Sequence, residues 1–170
     1  MLQNKMVYLS GSCKNETLDD RSGWRSDCVT WFCKNADRFI AFNPVAYFDY
    51  DRNDHKTELE VLDFERRAVK KSDVMLINLR NIEKSVGTIC ELAWAFEYDI
   101  PIVAFYESED EYELQLHPWI ENMCDRIECG VGAMEKPCVT FEIITAFSKN
   151  VNSQMENNIV GLMPLICERS

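Results

Sequence analysis

Positive charge is what this 170-residue sequence is short of: 18 Lys and Arg stand against 29 Asp and Glu, a formal net charge of −11. A nucleic-acid-binding protein needs a basic face to neutralise phosphates, and a protein that clings to anionic lipid needs one too. The balance therefore argues against nucleic-acid and membrane partners. No apolar run approaches the ~18 residues of a membrane span. The stretch 1–9 carries a single Lys5 and lacks the charged and apolar regions of a signal peptide. Eight cysteines are present, but no two form a CxxC pair, and only two histidines are available. A structural zinc site is thus not expected, nor is any metal or cofactor. Secreted disulfide scaffolds are usually shorter and carry a leader, so the expectation is a cytoplasmic protein with reduced thiols. There is no internal repeat and no low-complexity segment.

What is there suits one domain. The length fits a single unit, and 46% apolar residues are enough for a sizeable core. Strand-like and helix-like segments alternate. Lys5–Leu9 is a short β-type run, stopped by Ser10-Gly11-Ser12. After a polar loop over 13–21, the stretch 23–37 has helical character, with Trp24, Cys28, Trp31 and Phe32 near one face. Phe39–Phe42 reads as a strand closed by Asn43-Pro44. Residues 45–56 form a loop rich in aromatics and acids. Thr57-x-x-Glu60 is a capping box opening an amphipathic helix to Lys71. The nearly all-apolar stretch 74–79 suits a strand buried on both faces. A loop over 80–87 leads to a helix from Thr88 to Tyr98, then a strand from Ile100 to Tyr106. The acidic run 107–113 reads as solvated, His117-Pro118 as the start of a short helix, Arg126–Cys129 as a fifth strand and Val139–Phe147 as a closing helix. The pattern predicts an α/β fold, a parallel sheet with helices on both faces. We expect one domain over 1–150, with 151–170 as a tail or an arm onto a neighbour.

Ligands of such folds bind beyond the carboxyl ends of the strands, at the topological switch point. The loops there hold Ser10-Gly11-Ser12, the segment 47–51, and Ser85-x-Gly87-Thr88 with Glu91 just beyond. Glu91 has two readings. Thr88-x-x-Glu91 is itself a capping box, which would turn the carboxylate back to the Thr88 N–H. Alternatively, Glu91 is a nucleophile near a helix N-terminus, where the helix dipole favours its ionised form.

Tyr8-Leu9-Ser10-Gly11-Ser12, Trp24-Arg25, Asp73-Val74, Asn78-Leu79, the run 85–93 (SVGTICELA) and Pro101 resemble the nucleoside 2-deoxyribosyltransferase family, which includes N-glycosidases of nucleoside 5′-monophosphates. The match spans residues 5–120, and the Gly-Thr-x-x-Glu helix start is its most specific part. The resemblance implies a flavodoxin- or Rossmann-like three-layer fold with a five-stranded, mainly parallel sheet. It implies that Glu91 attacks the anomeric carbon and that Tyr8 orients it. Glu65 falls where the family, often with Asp, places an acid that recognises or protonates the base. A solvated helix residue is the alternative there, and Asp63 is a rival two positions away. Ser85 stands where transferases of free nucleosides tend to carry Asp and nucleotide-cleaving relatives Ser. With Ser12 and Gly87 it suits a small anion pocket, to which Lys14, Arg21 or Arg25 would add charge. Otherwise Ser85 is an ordinary loop residue and Arg25 pairs with a nearby acid. Asp73 suits a structural role at the entry to the third strand. Asn78 either lines the cleft or caps the strand end. Phe48 and Tyr50 either stack on a base or pack a subunit interface. His55 and His117 are too isolated to be ligands or bases. The family's habit of assembling implies a homodimer or higher homo-oligomer, with Trp119, Ile120 and Met123 or the tail in the contact.

Cleaving a C–N glycosidic bond builds positive charge on the sugar. A carboxylate beside the anomeric carbon stabilises that charge and can bond covalently, and the departing base needs a proton from a second acid. Three functions follow as expectations: a deoxyribosyltransferase acting on a small nucleoside, a nucleoside 5′-monophosphate N-glycosidase, or a non-catalytic nucleotide-binding domain that keeps the fold.

Overall fold

The computed structural model describes residues 4–13, 18–36, 38–47, 57–106 and 116–129, with 18–22 as backbone. Lys14, Phe48, Tyr50, His55, the acidic run 107–113, the expected helix at 139–147 and the tail 151–170 lie outside the described residues, as does the Arg21 side chain.

Three strands carry the centre of the sheet. β1 (Lys5–Gly11) is buried from Val7 onward, and β3 (Val74–Asn78) and β4 (Ile102–Tyr106) are buried throughout. Their near-continuous apolar runs are what a strand covered on both faces requires. The edges, β2 (Phe39–Phe42) and β5 (Arg126–Cys129), have four residues each and are only partly buried. The order is β2-β1-β3-β4-β5, and every pairing is parallel. This is the doubly wound order whose switch point falls between β1 and β3.

Alternation along β1 sends successive side chains to opposite faces. Tyr8 joins Met75, Ile77, Leu92 and Ile120 in one buried cluster with α2 (Glu58–Lys71), α3 (Val86–Glu97) and α4 (Pro118–Met123). On the other face α1 (Leu18–Asn35) buries Trp24, Cys28 and Phe32, and the Trp24 ring meets Phe105 edge-on at 5.5 Å. The layers are therefore α1, sheet, then α2–α3–α4.

Local chemistry sets the joints. Thr57 caps α2, its Oγ1 accepting the Glu60 N–H at 3.2 Å, with acids in the first turn and Lys70 and Lys71 in the last. Asp73 serves structure: its carboxylate accepts the Met6 N–H at 2.7 Å and ties β1 to the start of β3. Asp125 does the same for the β4/β5 pair, accepting the Ile102 N–H at 2.7 Å.

The structure corrects the sequence reading at several points: β1 runs on through Ser10 and Gly11, where a turn was expected, and β4 starts at Ile102, not Ile100. α1 begins at Leu18, not at residue 23. Its opening residues LDDRS lack an apolar period, so periodicity placed the start too late and the stretch expected as loop is helix. α3 begins at Val86 with Ser85 as its cap residue, not at Thr88. The Trp119–Ile120–Met123 cluster is not one outward patch: Ile120 and Met123 belong to the core side, whereas Trp119 is 77% exposed. Among the described residues no helix is long and apolar enough to cross a membrane.

Candidate active site

At the switch point a cavity of about 560 Å³ opens between the ends of β1 and β3. Glu91 lines it. Its carboxylate takes a hydrogen bond on each oxygen. The Tyr8 hydroxyl donates to Oε1 at 2.6 Å, and the Ser10 hydroxyl donates to Oε2 at 2.5 Å. The residue is 6% exposed and lines the cavity.

This geometry excludes the capping-box reading of Glu91. Because α3 starts at Val86, Glu91 sits in its second turn, and its oxygens are engaged by β1. The capping box is not formed. The helix dipole is also a weaker support than expected, since its effect fades within the first turn. Burial instead pushes the Glu91 carboxyl above its ordinary value. The hydrogen bonds from Ser10 and Tyr8, and the positive charge of Arg25, pull the other way without cancelling the burial. Tyr8 is raised well above the usual tyrosine value, chiefly by burial and then by the charges of Glu91 and Glu65. Its phenol therefore keeps its proton and remains a donor.

The Tyr8 ring is held from the opposite side. It stacks on Phe42 at 5.7 Å, and Phe42 stacks on Tyr47 at 5.0 Å and packs against Phe64 at 6.0 Å. Phe42 closes β2 and Phe64 faces inward from α2, so two elements fix one ring.

Of the other expected site residues, Gly11, Glu65, Ser85, Gly87 and Thr88 line the same cavity. Gly11 must be glycine. A Cβ there would stand 2.9 Å from the Trp24 ring and 3.3 Å from the Asn78 Cβ. Ser85 and Thr88 share a hydrogen bond between hydroxyls at 2.8 Å. Glu65 reaches the cavity from α2, whereas its rival Asp63 pairs with Arg66 at 3.4 Å on the outer face of the helix.

Ser12 and Asn78 do not join them. Ser12 is buried just past β1 and does not line the cavity. Asn78 accepts the Arg80 N–H on its Oδ1 at 3.0 Å, the strand-end alternative. Phe48 lies outside the described residues.

The sequence reading missed three contributors. Ser10, taken as a turn residue, is the second donor to Glu91; its signal was the period of two that puts it on the face of Tyr8. Lys84, one position before Ser85, and Glu58, the first residue of α2, also line the cavity. Among the described residues no cluster of three His, Cys, Asp or Glu is placed to hold a metal ion.

The sequence matches no protein-family model and no curated protein. Solved structures do match. A 2-deoxyribosyltransferase from Bacillus psychrosaccharolyticus superposes with a TM-score of 0.55 at 13% identity, over 72% of this chain and 84% of that one. The chain has the fold of the 2-deoxyribosyltransferases. A conserved protein from Enterococcus faecalis V583 superposes with a TM-score of 0.59 at 14% identity, over 74% of this chain and 91% of that one. The CMP N-glycosidase BcmB of Clostridium botulinum gives 0.52 at 14% identity, over 82% and 99%. The likeness is one of fold and takes in the five-stranded parallel sheet.

Proposed function

We propose that this chain is an enzyme that cleaves or exchanges the N-glycosidic bond of nucleosides or deoxynucleosides through a covalent glycosyl–Glu91 intermediate. The observation that carries the reading is the carboxylate itself: a buried Glu91, oriented on both oxygens by Tyr8 and Ser10, facing a cavity of about 560 Å³. A carboxylate with no partner chemistry would be a costly thing to bury, because desolvation disfavours its charge.

In this reading one Glu91 oxygen attacks C1′ as the C1′–N bond breaks. The bond's electron pair stays on the base nitrogen, and Glu65, in its acid form, gives the base a proton. A second base or water then attacks C1′, gives up its proton to the Glu65 carboxylate, and frees Glu91. Two displacements at one carbon retain configuration, as in retaining glycosidases. Tyr8 and Ser10 steady the carboxylate between the steps.

One observation favours a second reading, hydrolysis of nucleoside 5′-monophosphates. Lys84, Ser85 and Gly87 line the cavity where α3 begins, a combination of cation, hydroxyl and helix N-terminus suited to a phosphate. The fold likeness to a CMP N-glycosidase supports it too. Incubation with deoxynucleosides and with nucleoside monophosphates, each with and without a second free base, separates the two. Base exchange supports transfer; release of base from monophosphates alone supports hydrolysis. No reaction with any of them overturns both and leaves a nucleotide-binding domain. We further propose a cytoplasmic homodimer or larger assembly. A monomer in sedimentation at working concentration refutes the assembly.

A further inference from the structure

We infer that Arg25 is a positioning residue for Glu91: its buried guanidinium clips the β1 main chain on both sides of Ser10 and supplies a fixed positive charge to the cavity that Glu91 lines. The inference rests on the catalytic reading of Glu91 given above.

β1 pairs with β2 only as far as Tyr8↔Phe42, yet stays paired with β3 to Gly11↔Asn78. Past Tyr8, one side of β1 has no strand beside it among the described residues. Arg25 supplies donors there. Its Nε donates to the Leu9 carbonyl at 3.3 Å and an Nη donates to the Gly11 carbonyl at 2.7 Å. The residue between those carbonyls is Ser10, whose hydroxyl holds Glu91. A planar guanidinium can bridge two acceptors at once; an ammonium cannot do so with the same geometry.

A second line is independent of the clip. Arg25 is 1% exposed, and a guanidinium stays charged at all ordinary pH. Burying a charge is costly unless it is paired. Two carbonyls and the Trp24 face, 4.5 Å from the guanidinium carbon, are among its partners. The cavity that Arg25 lines also holds Glu91. Among the described residues, the ionisable groups around Glu91 are Tyr8 from β1, Cys13 after it, Arg25 from α1, Glu58 and Glu65 from α2, and Lys84 ahead of α3. Arg25 is the fully buried cation of this set.

The test follows Glu91 ionisation by carboxyl 13C NMR, with Glu91→Gln to assign the signal, alongside the pH profile of kcat/KM. In Arg25→Met the Glu91 midpoint moves to higher pH. On the acid side kcat/KM then falls about tenfold or more, the effect of losing one opposite charge nearby. In Arg25→Lys the midpoint stays near that of the parent, while kcat falls more than KM changes because Ser10 is no longer clipped. A folded Arg25→Met with an unmoved midpoint overturns the inference. Failure of both variants to fold also overturns it, in favour of a purely structural arginine. The titration needs no substrate. A parent protein inactive on every nucleoside and nucleotide would sink the catalytic reading while the NMR arm still judged Arg25.

Discussion

Replacing Glu91 by glutamine removes the negative charge and keeps the size and an acceptor for Tyr8 or Ser10. A nucleophile that carries the covalent step cannot be spared, so turnover falls by about a thousandfold or more. Stability goes the other way. Burial holds the Glu91 carboxyl above the ordinary glutamate value of 4.5, so the folded protein keeps this proton to a higher pH than the unfolded chain. Between those two ionisations the folded state binds more protons, and stability declines as pH rises through that window. Glutamine has no such decline. The variant is therefore as stable as the parent at pH below the ordinary carboxylate range, and more stable at neutral pH. Each kcal/mol of relief raises Tm by about 2–4 °C for a chain of this size. Thermal melts of both proteins across the acid-to-neutral range, paired with base-release assays, read out both effects. Substantial residual turnover refutes the nucleophile. A gap in Tm that fails to widen toward neutral pH refutes the burial argument.

Tyr8→Phe removes one of two donors to the carboxylate. It lowers kcat/KM by about a hundredfold, by analogy with loss of one oxyanion donor, and moves the acid limb of the pH profile upward; an unchanged profile counts against Tyr8 as the orienting group. Gly11→Ala drives a Cβ against the Trp24 ring at 2.9 Å, a contact that something must relieve, and costs about 1–3 kcal/mol in urea unfolding. An unchanged midpoint there means the ring moves aside freely. Lys84→Ala raises KM for a nucleoside monophosphate about tenfold or more, the worth of one charge-assisted hydrogen bond, and leaves KM for the free nucleoside unchanged. Equal effects on both substrates exclude Lys84 as a phosphate contact.

The fold was legible because periodicity and turn chemistry act locally. The buried runs of β3 and β4 and the capped start of α2 are written in consecutive residues, and their alternation requires a parallel sheet with helices on both faces. Helix starts were less legible. Ser85 and Thr88 are both good cap residues, and which of them closes the turn depends on how the short helical turn Ile82–Lys84 packs beneath, with Ile82 buried.

The sequence by itself determined the element types and put Glu91 beside the switch point, and the family resemblance added Tyr8 to it. Only the tertiary structure decided what holds that carboxylate. Residues 8 and 10 share a face of β1, but their meeting with residue 91 spans more than half of the described chain, through hydrogen bonds of 2.6 and 2.5 Å. The ionisation of Glu91 was decided there too. Sequence position suggested a helix dipole that favours the charged form, whereas burial, a property of the assembled layers, raises the carboxyl against the hydrogen bonds of Ser10 and Tyr8 and the charge of Arg25. Local patterns specify which way a side chain points; desolvation and charge pairing depend on what the rest of the fold packs against it.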